Sequence, residues 1–291
     1  MATAPRIITR TIIGSRILAA LQQGKAFTHV QYTTLNEGLG INAGVMPVDG
    51  DTPRVRYYAI GINGHINKVG SDGGHYSQAR QKGPEEFGLY SQIPFVLRSP
   101  TEDLTQAERA PYALRKIIEI NGEKFVAYYL KRIPISAEPV KMLQNTVVDG
   151  VTTTVPFVPT NANLHPSPKD PTSTNVISTN GTYLSTSAMM ALEFGPKDVE
   201  ELLQVATIMF GSEERALISE IALVAGSDRV IQITDPGQAP FNMNEVVMAQ
   251  IATHITGLWP VAFTSQGFTY DLDLGGTEPM VGMDASAATN P

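Results

Sequence analysis

A chain of 291 residues with a net charge of −7, 42% hydrophobic and 17% charged residues has room for one large domain or two ordinary ones, and reads as a core-forming protein with a sparsely charged surface. The acidic balance argues against nucleic acid as the main partner, since only Arg6, Arg10, Arg16 and Lys25 form a locally basic stretch. The lack of cysteine excludes disulfides, thiolate zinc sites and cysteine nucleophiles; no run reaches the ~20 apolar residues of a transmembrane helix or forms the core of a signal peptide, so a chain made in a reducing cytosol and away from membranes is expected.

Ile13, Ile17, Leu18 and Leu21 predict a short amphipathic helix over 11–23, stopped by Gly24. Residues 26–34 and 53–62 read as strands, the second with Val55, Tyr57 and Ala59 inward. Residues 61–88 are polar and rich in glycine, and an exposed irregular loop is expected there. Residues 93–97 read as a short strand and 101–109 as a helical turn or two capped by Thr101. The clearest local pattern is two β-rich runs, 114–120 and 123–130, separated by Asn121-Gly122. It predicts a hairpin with a type I′ turn, because both turn residues need positive φ. Asp149-Gly150 predicts a second hairpin between 142–148 and 151–157. Pro156, Pro159, Pro166, Pro168 and Pro171 then preclude a central strand or a helix.

Residues 183–194 read as a strand. Pro196 opens and Gly211 closes a helix with Asp198, Glu200 and Glu201 in its first turns, where the dipole favours acids. Val199, Leu202, Leu203, Ala206, Met209 and Phe210 give it one apolar face. Residues 217–224 read as an apolar strand, Gly226-Ser227-Asp228 as a turn and 229–234 as the return. Asn242 with Glu245 has the form of a capping box and predicts a second helix, with Val247, Ile251, Ile255 and Leu258 on one face. Residues 262–274 close the chain as a β-rich run. The expected fold class is α+β and β-rich, with antiparallel hairpins and sheets and a few short amphipathic helices. Four parts are expected: a β-rich part with a short leading helix (1–158), a Pro-rich extended connection (159–182), an α+β part (183–276) and a tail (277–291).

Few residues suggest chemistry. Gly70-Ser-Asp-Gly-Gly-His75 has the look of a phosphate cradle, yet no Lys-Ser or Lys-Thr follows and no helix opens behind it. His65 and His75 with Asp72 would be the first ligands of a metal site, but their spacing is not that of a helical site. His254 reads as a packing or surface residue of the second helix. Asp271 with Asp273, and Asp49 with Asp51, are paired carboxylates of the sort used in acid–base or calcium chemistry, each placed at a turn or near the tail. No nucleophile elbow and no Ser/His/Asp arrangement is present. No catalytic residue, cofactor or metal is expected. Tyr57-Tyr58 and Tyr128-Tyr129 lie in strands, so one member of each is expected inward and one outward, with Tyr58 and Tyr129 as interface candidates. Tyr76, Phe87 and Leu164 are candidate anchors in stretches 61–88 and 159–175. Those two stretches and the flexible tail 277–291 lack periodic apolar residues; all three are expected to be mobile in the free chain, and at least the first two to be ordered by neighbours.

Several segments together carry a resemblance. They are Gln92-Ile-Pro-Phe-Val-Leu-Arg, Leu104-Thr-Gln-Ala-Glu-Arg-Ala-Pro-Tyr-Ala-Leu-Arg, Phe125-Val-Ala-Tyr-Tyr-Leu-Lys, Asp149-Gly-Val-Thr-Thr, Ile218-Ser-Glu-Ile-Ala-Leu-Val-Ala-Gly-Ser-Asp-Arg and Val246-Val-Met-Ala-Gln-Ile-Ala-Thr-His-Ile. The pattern resembles virion structural proteins of tailed bacteriophages, particularly those with contractile tails. The resemblance implies a non-enzymatic component of the tail, most readily at the baseplate wedge or periphery, with a neck, collar or fibre-anchoring station as the alternative. It implies other virion proteins as partners, multiple copies or a homo-oligomer in a symmetric assembly, and residence in the virion after synthesis in the host cytoplasm. A glycan-degrading enzyme using an Asp/Glu pair is the alternative from another class.

Overall fold

The computed structural model describes residues 7–25, 35, 38–41, 54–135, 139–161, 181–235, 239–263 and 266–279. It divides into two units: residues 1–133 with 193–269, and residues 134–192 with 270–291. The fold is α+β and β-rich, as expected, with antiparallel sheets and, among the described residues, three short helices.

In the first unit, β1 (Ile7–Arg10) leads into α1 (Ile12–Gln23). Thr11 caps that helix by accepting the Gly14 amide, and Gly24 ends it at φ 60°. The strands that follow are β2 (Arg54–Ile62), β3 (His65–Val69), β4 (His75–Ala79), β5 (Ser91–Ile93) and β6 (Val96–Arg98). The short α2 (Gln106–Arg109) is capped by Thr105 in a reciprocal box with Glu108, rather than by the expected Thr101. The hairpin of β7 (Tyr112–Ile120) and β8 (Glu123–Arg132) turns at Asn121 and Gly122, whose φ values of 52° and 85° are those of the expected turn.

The second unit holds β9 (Lys141–Val148), β10 (Val151–Pro156) and β11 (Gly181–Ser187). β9 and β10 form the second expected hairpin, with Asp149 and Gly150 at φ 49° and 78°. The chain passes between the units along β12 (Met189–Phe194) and again along β15 (Phe268–Asp273), which pair as a two-stranded sheet. Back in the first unit come α3 (Pro196–Phe210), β13 (Leu217–Ile233) and β14 (Phe241–Pro260). β16 (Thr277–Pro279) closes the order and pairs with β11.

The main sheet of the first unit runs β1-β14-β13-β2-β8-β6, with β5 added to β2 and β7 to β8. Tyr57, Ala59, Leu97, Leu114, Leu130, Ala222, Val224 and Ile251 form its core together with Val205 of α3. Ile13 and Ile17 of α1 pack on Ala225 and Ala252. α3 obeys its sequence, with Pro196 at the start, the Asp198 carboxylate accepting the Gly195 amide at 2.8 Å, and Gly211 at φ 81°.

Four expectations fail, each for a physical reason. The stretch expected as a second helix is β14. Its Val247, Ile251 and Ile255 fit a helical period, but β14 is buried at every position from 246 to 252 because the sheet is covered on both faces. A strand without alternation cannot be told from a helix by period, and its β-branched content decides for strand. The expected turn at 226–228 is the middle of β13, with an irregularity of register at Ser227 and Asp228. Gly226 is there for close approach: a Cβ would lie 2.1 Å from the Met248 carbonyl oxygen on β14. Residues 61–88 are not wholly irregular, since β3 and β4 pair within them. The boundary expected at the Pro-rich connection is not where the units divide, because β2 from the first half pairs with β13 from the second. Residues 26–34, 49–51 and 162–180, with the strand, the Asp pair and most of the connection expected there, lie outside the described residues, as do 280–291 of the tail.

Candidate functional site

Both faces of the sheet are covered at β2 and β8, so both members of each tyrosine pair are buried and no outward member exists. Tyr58 stands edge-on to Phe95 and Phe194 at 5.2 and 5.5 Å, and its hydroxyl donates to the Glu193 carbonyl at 2.9 Å. Tyr129 lies in the core, where burial pushes its hydroxyl up to about 12. Neither can anchor an interface in this fold. Tyr76 is half exposed on β4, and Phe87 is partly buried against the α1 cluster. Leu164 lies outside the described residues.

The candidate metal ligands do not converge. His65 and His75 sit at opposite ends of the β3–β4 ladder, and Asp72 accepts the Gly74 amide at 3.0 Å in the turn between them. Among the described residues no group of three His, Asp or Glu side chains could hold a metal ion. Asp271 and Asp273 are exposed on one face of β15, where Asp273 accepts the amides of Ala188 and Gly275 at 2.8 and 2.9 Å.

The structure does assemble one buried polar cluster that the sequence pattern did not reveal. Glu220 on β13 is 1% exposed and accepts the Tyr90 and Ser91 amides at 3.0 and 2.9 Å. Lys82, 3% exposed, places its ammonium 3.3 Å from the same carboxylate and 3.6 Å from the centre of the Tyr90 ring, and donates to the Gly88 carbonyl at 2.8 Å. Burial raises the Glu220 carboxyl, against the pull of both amides and the lysine. Nearby on β14, His254 meets the Glu86 carbonyl at 2.8 Å through Nε2, and burial lowers it to about 4. The Ile12 amide adds a bond to the Pro84 carbonyl at 2.8 Å. All these groups fasten the segment 80–91 to the sheet. Both Glu220 oxygens are engaged, Oε1 by the Ser91 amide and Oε2 by the Tyr90 amide and the Lys82 ammonium. One clue was legible: a lone Glu inside the apolar run 217–225 must find a partner if that strand is buried.

A second polar cluster has the same character. Arg115 donates from Nε to Asp103 at 3.0 Å, and its Nη2 pairs with both Asp103 at 2.8 Å and Asp235 at 2.5 Å, while Tyr128 donates to Asp103. A shallow cleft of about 420 Å³ lies by the start of α3, lined by Lys131, Phe194, Asp198 and Phe268 among others. Lys131 and Asp198 pair there at 2.7 Å, and Glu193 lines the same cleft.

The sheet of the second unit differs from all of this. Its order is β10-β9-β11-β16. Among its described side chains only Asn145 is buried, donating to Ser185 at 2.8 Å and accepting from Thr154 at 2.7 Å. The β9–β10 register puts Met142, Val148, Val151 and Val155 on one face, each between 47% and 68% exposed. Among the described residues β10 is exposed at all six positions and lies at the edge of its sheet, and it carries no charge.

A family model matches residues 1–289. The chain belongs to that family, described as a family of unknown function (DUF7208). No curated protein and no solved structure matches it. Among the described residues no helix is long and apolar enough to cross a membrane.

Proposed function

We propose that the chain is a non-enzymatic structural component of a tailed bacteriophage virion, held in the tail by protein–protein contacts at the baseplate wedge or periphery. The sequence pattern supplies the phage reading. The observation that carries the assembly reading is the sheet of the second unit, with four aliphatic side chains exposed on one face and almost nothing buried. Small sheets are stable when a helix or another sheet covers a face, and exposed contiguous apolar surface marks a place where another chain sits. The polar clusters of the first unit tie backbone segments to the sheet, a role suited to a rigid assembly part.

The test is mass spectrometry of gradient-purified particles, calibrated with labelled peptides from this chain and from the major capsid protein. A fixed copy number that fits the tail's symmetry is expected. A chain that remains in the supernatant and never bands with particles contradicts the proposal. Assay of the purified chain on peptidoglycan and capsule should give no product, and turnover there would favour the glycan-degrading alternative.

A further inference from the structure

We propose that two copies of this chain pair edge to edge through β10, as an antiparallel ladder with its two-fold axis at Thr153. This rests on the assembly reading above and names one of its contacts. The direction of each backbone group follows from the hairpin. Val148 and Val151 flank a two-residue turn and form a hydrogen-bonded pair. Alternation then makes Thr146 with Thr153, and Gln144 with Val155, bonded pairs as well. The Phe157 amide donates to the Met142 carbonyl at 2.9 Å and continues the same series. Thr152 and Thr154 are therefore the residues whose N–H and C=O point away from β9. Pro156 is next in that outward series and has no N–H, so it ends the open edge.

A second copy fits this edge for two reasons. With the axis at Thr153, Thr152 meets the second copy's Thr154, Val151 meets its Val155, and Thr153 meets itself. Every cross-strand pair is β-branched, the type that packs well on a pleated surface. Charge makes the second reason. The hairpin has two charged residues, Lys141 at its open end and Asp149 at its turn. The two-fold brings each Asp149 to the end where the other copy carries Lys141, about two strand spacings or ~10 Å away, while the two Asp149 stay ~27 Å apart. In a chain of net charge −7, this is an edge where two copies meet opposite charge and no like charge. Natural sheets blunt exposed edges with lysine or an inward charge, and β10 has neither.

The test uses the absence of cysteine. Thr153→Cys in the full chain places one thiol at the axis, in a non-hydrogen-bonded pair whose Cα atoms lie about 4.5 Å apart, within disulfide reach. Under mild oxidation this variant is expected to run as a covalent dimer, with Thr152→Cys, which meets Thr154 instead of itself, cross-linked about tenfold less. Sedimentation of the parent should show a dimer. Thr152→Pro, which removes an outward N–H and no bond to β9, should sediment as a monomer with the parent's circular dichroism. A monomeric parent together with equal cross-linking at 152 and 153 overturns the proposal, as does a different protein found on β10 in particles. If such a monomer still bands with particles, the virion reading stands without this contact. If position 153 cross-links but the chain never bands with particles, the self-pairing stands and the virion reading falls.

Discussion

Replacing Glu220 by Gln keeps the side chain's shape and removes its charge. The Lys82 ammonium, 3% exposed and 3.3 Å from the carboxylate, is then left buried beside a neutral amide. Either the Tyr90 or the Ser91 amide also loses its acceptor and faces an –NH₂ group. Breaking one side of a buried pair costs about 3–5 kcal/mol, of which the stranded amide accounts for about 1–3. Lys82→Met is expected to cost about 3 kcal/mol, because the carboxylate keeps two amides and its raised pKa lets it take up a proton. The double variant has no buried charge and should lose only the stranded amide, about 1–3 kcal/mol. The two single losses together should therefore exceed the double loss by about 5 kcal/mol. Urea unfolding followed through the fluorescence of Trp259, the sole tryptophan, reads this in the first unit. Single losses below ~1 kcal/mol that simply add would mean a solvated pair, and Lys82 and Glu220 would not be what fastens segment 80–91 to the sheet.

His254 is held neutral down to about pH 4, whereas in the unfolded chain it takes a proton near its usual value of 6.5. Its stabilisation is complete above that value and is lost as pH falls towards 4, about 3 kcal/mol in all; His254→Gln should flatten urea midpoints by that amount between pH 6.5 and 4, with the opposing trend from Glu220 common to both proteins. Gly226→Ala drives a Cβ into the Met248 carbonyl at 2.1 Å on a paired strand and should cost more than ~3 kcal/mol in thermal unfolding. Gly122→Val meets no atom within 4 Å, so its cost is the strain of a β-branched residue at φ 85°, about 1–3 kcal/mol, and a variant as stable as the parent would contradict the turn.

Local chemistry was legible in the sequence. The caps and stops of α1 and α3 and the two-residue turns at 121–122 and 149–150 are set by residues within a few positions of one another. The long strands were not. β13 and β14 are covered on both faces, so the period that separates helix from strand vanishes at positions 246–252. The glycine at 226 has the composition of a turn but answers a neighbour more than twenty residues away. The same holds for the tyrosine pairs: alternation predicts one exposed member, and only the packing on both sides of the sheet leaves β2 and β8 with no open face. The Glu220 cluster joins residues far apart in sequence, and its sole local trace is a charge in an apolar run. The β9–β10 hairpin was read correctly, but its edge position depends on where β11 pairs, which no local pattern encodes.

The central claim is that protein covers the sheet of the second unit once the chain is assembled. Val151, 68% exposed on that sheet, can be replaced by cysteine in a chain that has none. Maleimide labelling of Val151→Cys is then compared between the free chain and purified particles. The account predicts rapid labelling of the free chain, whether single or paired along β10, since edge pairing leaves the face open. It predicts labelling slowed by about tenfold or more in particles, where a neighbour closes the face. Equal labelling in both states would contradict it.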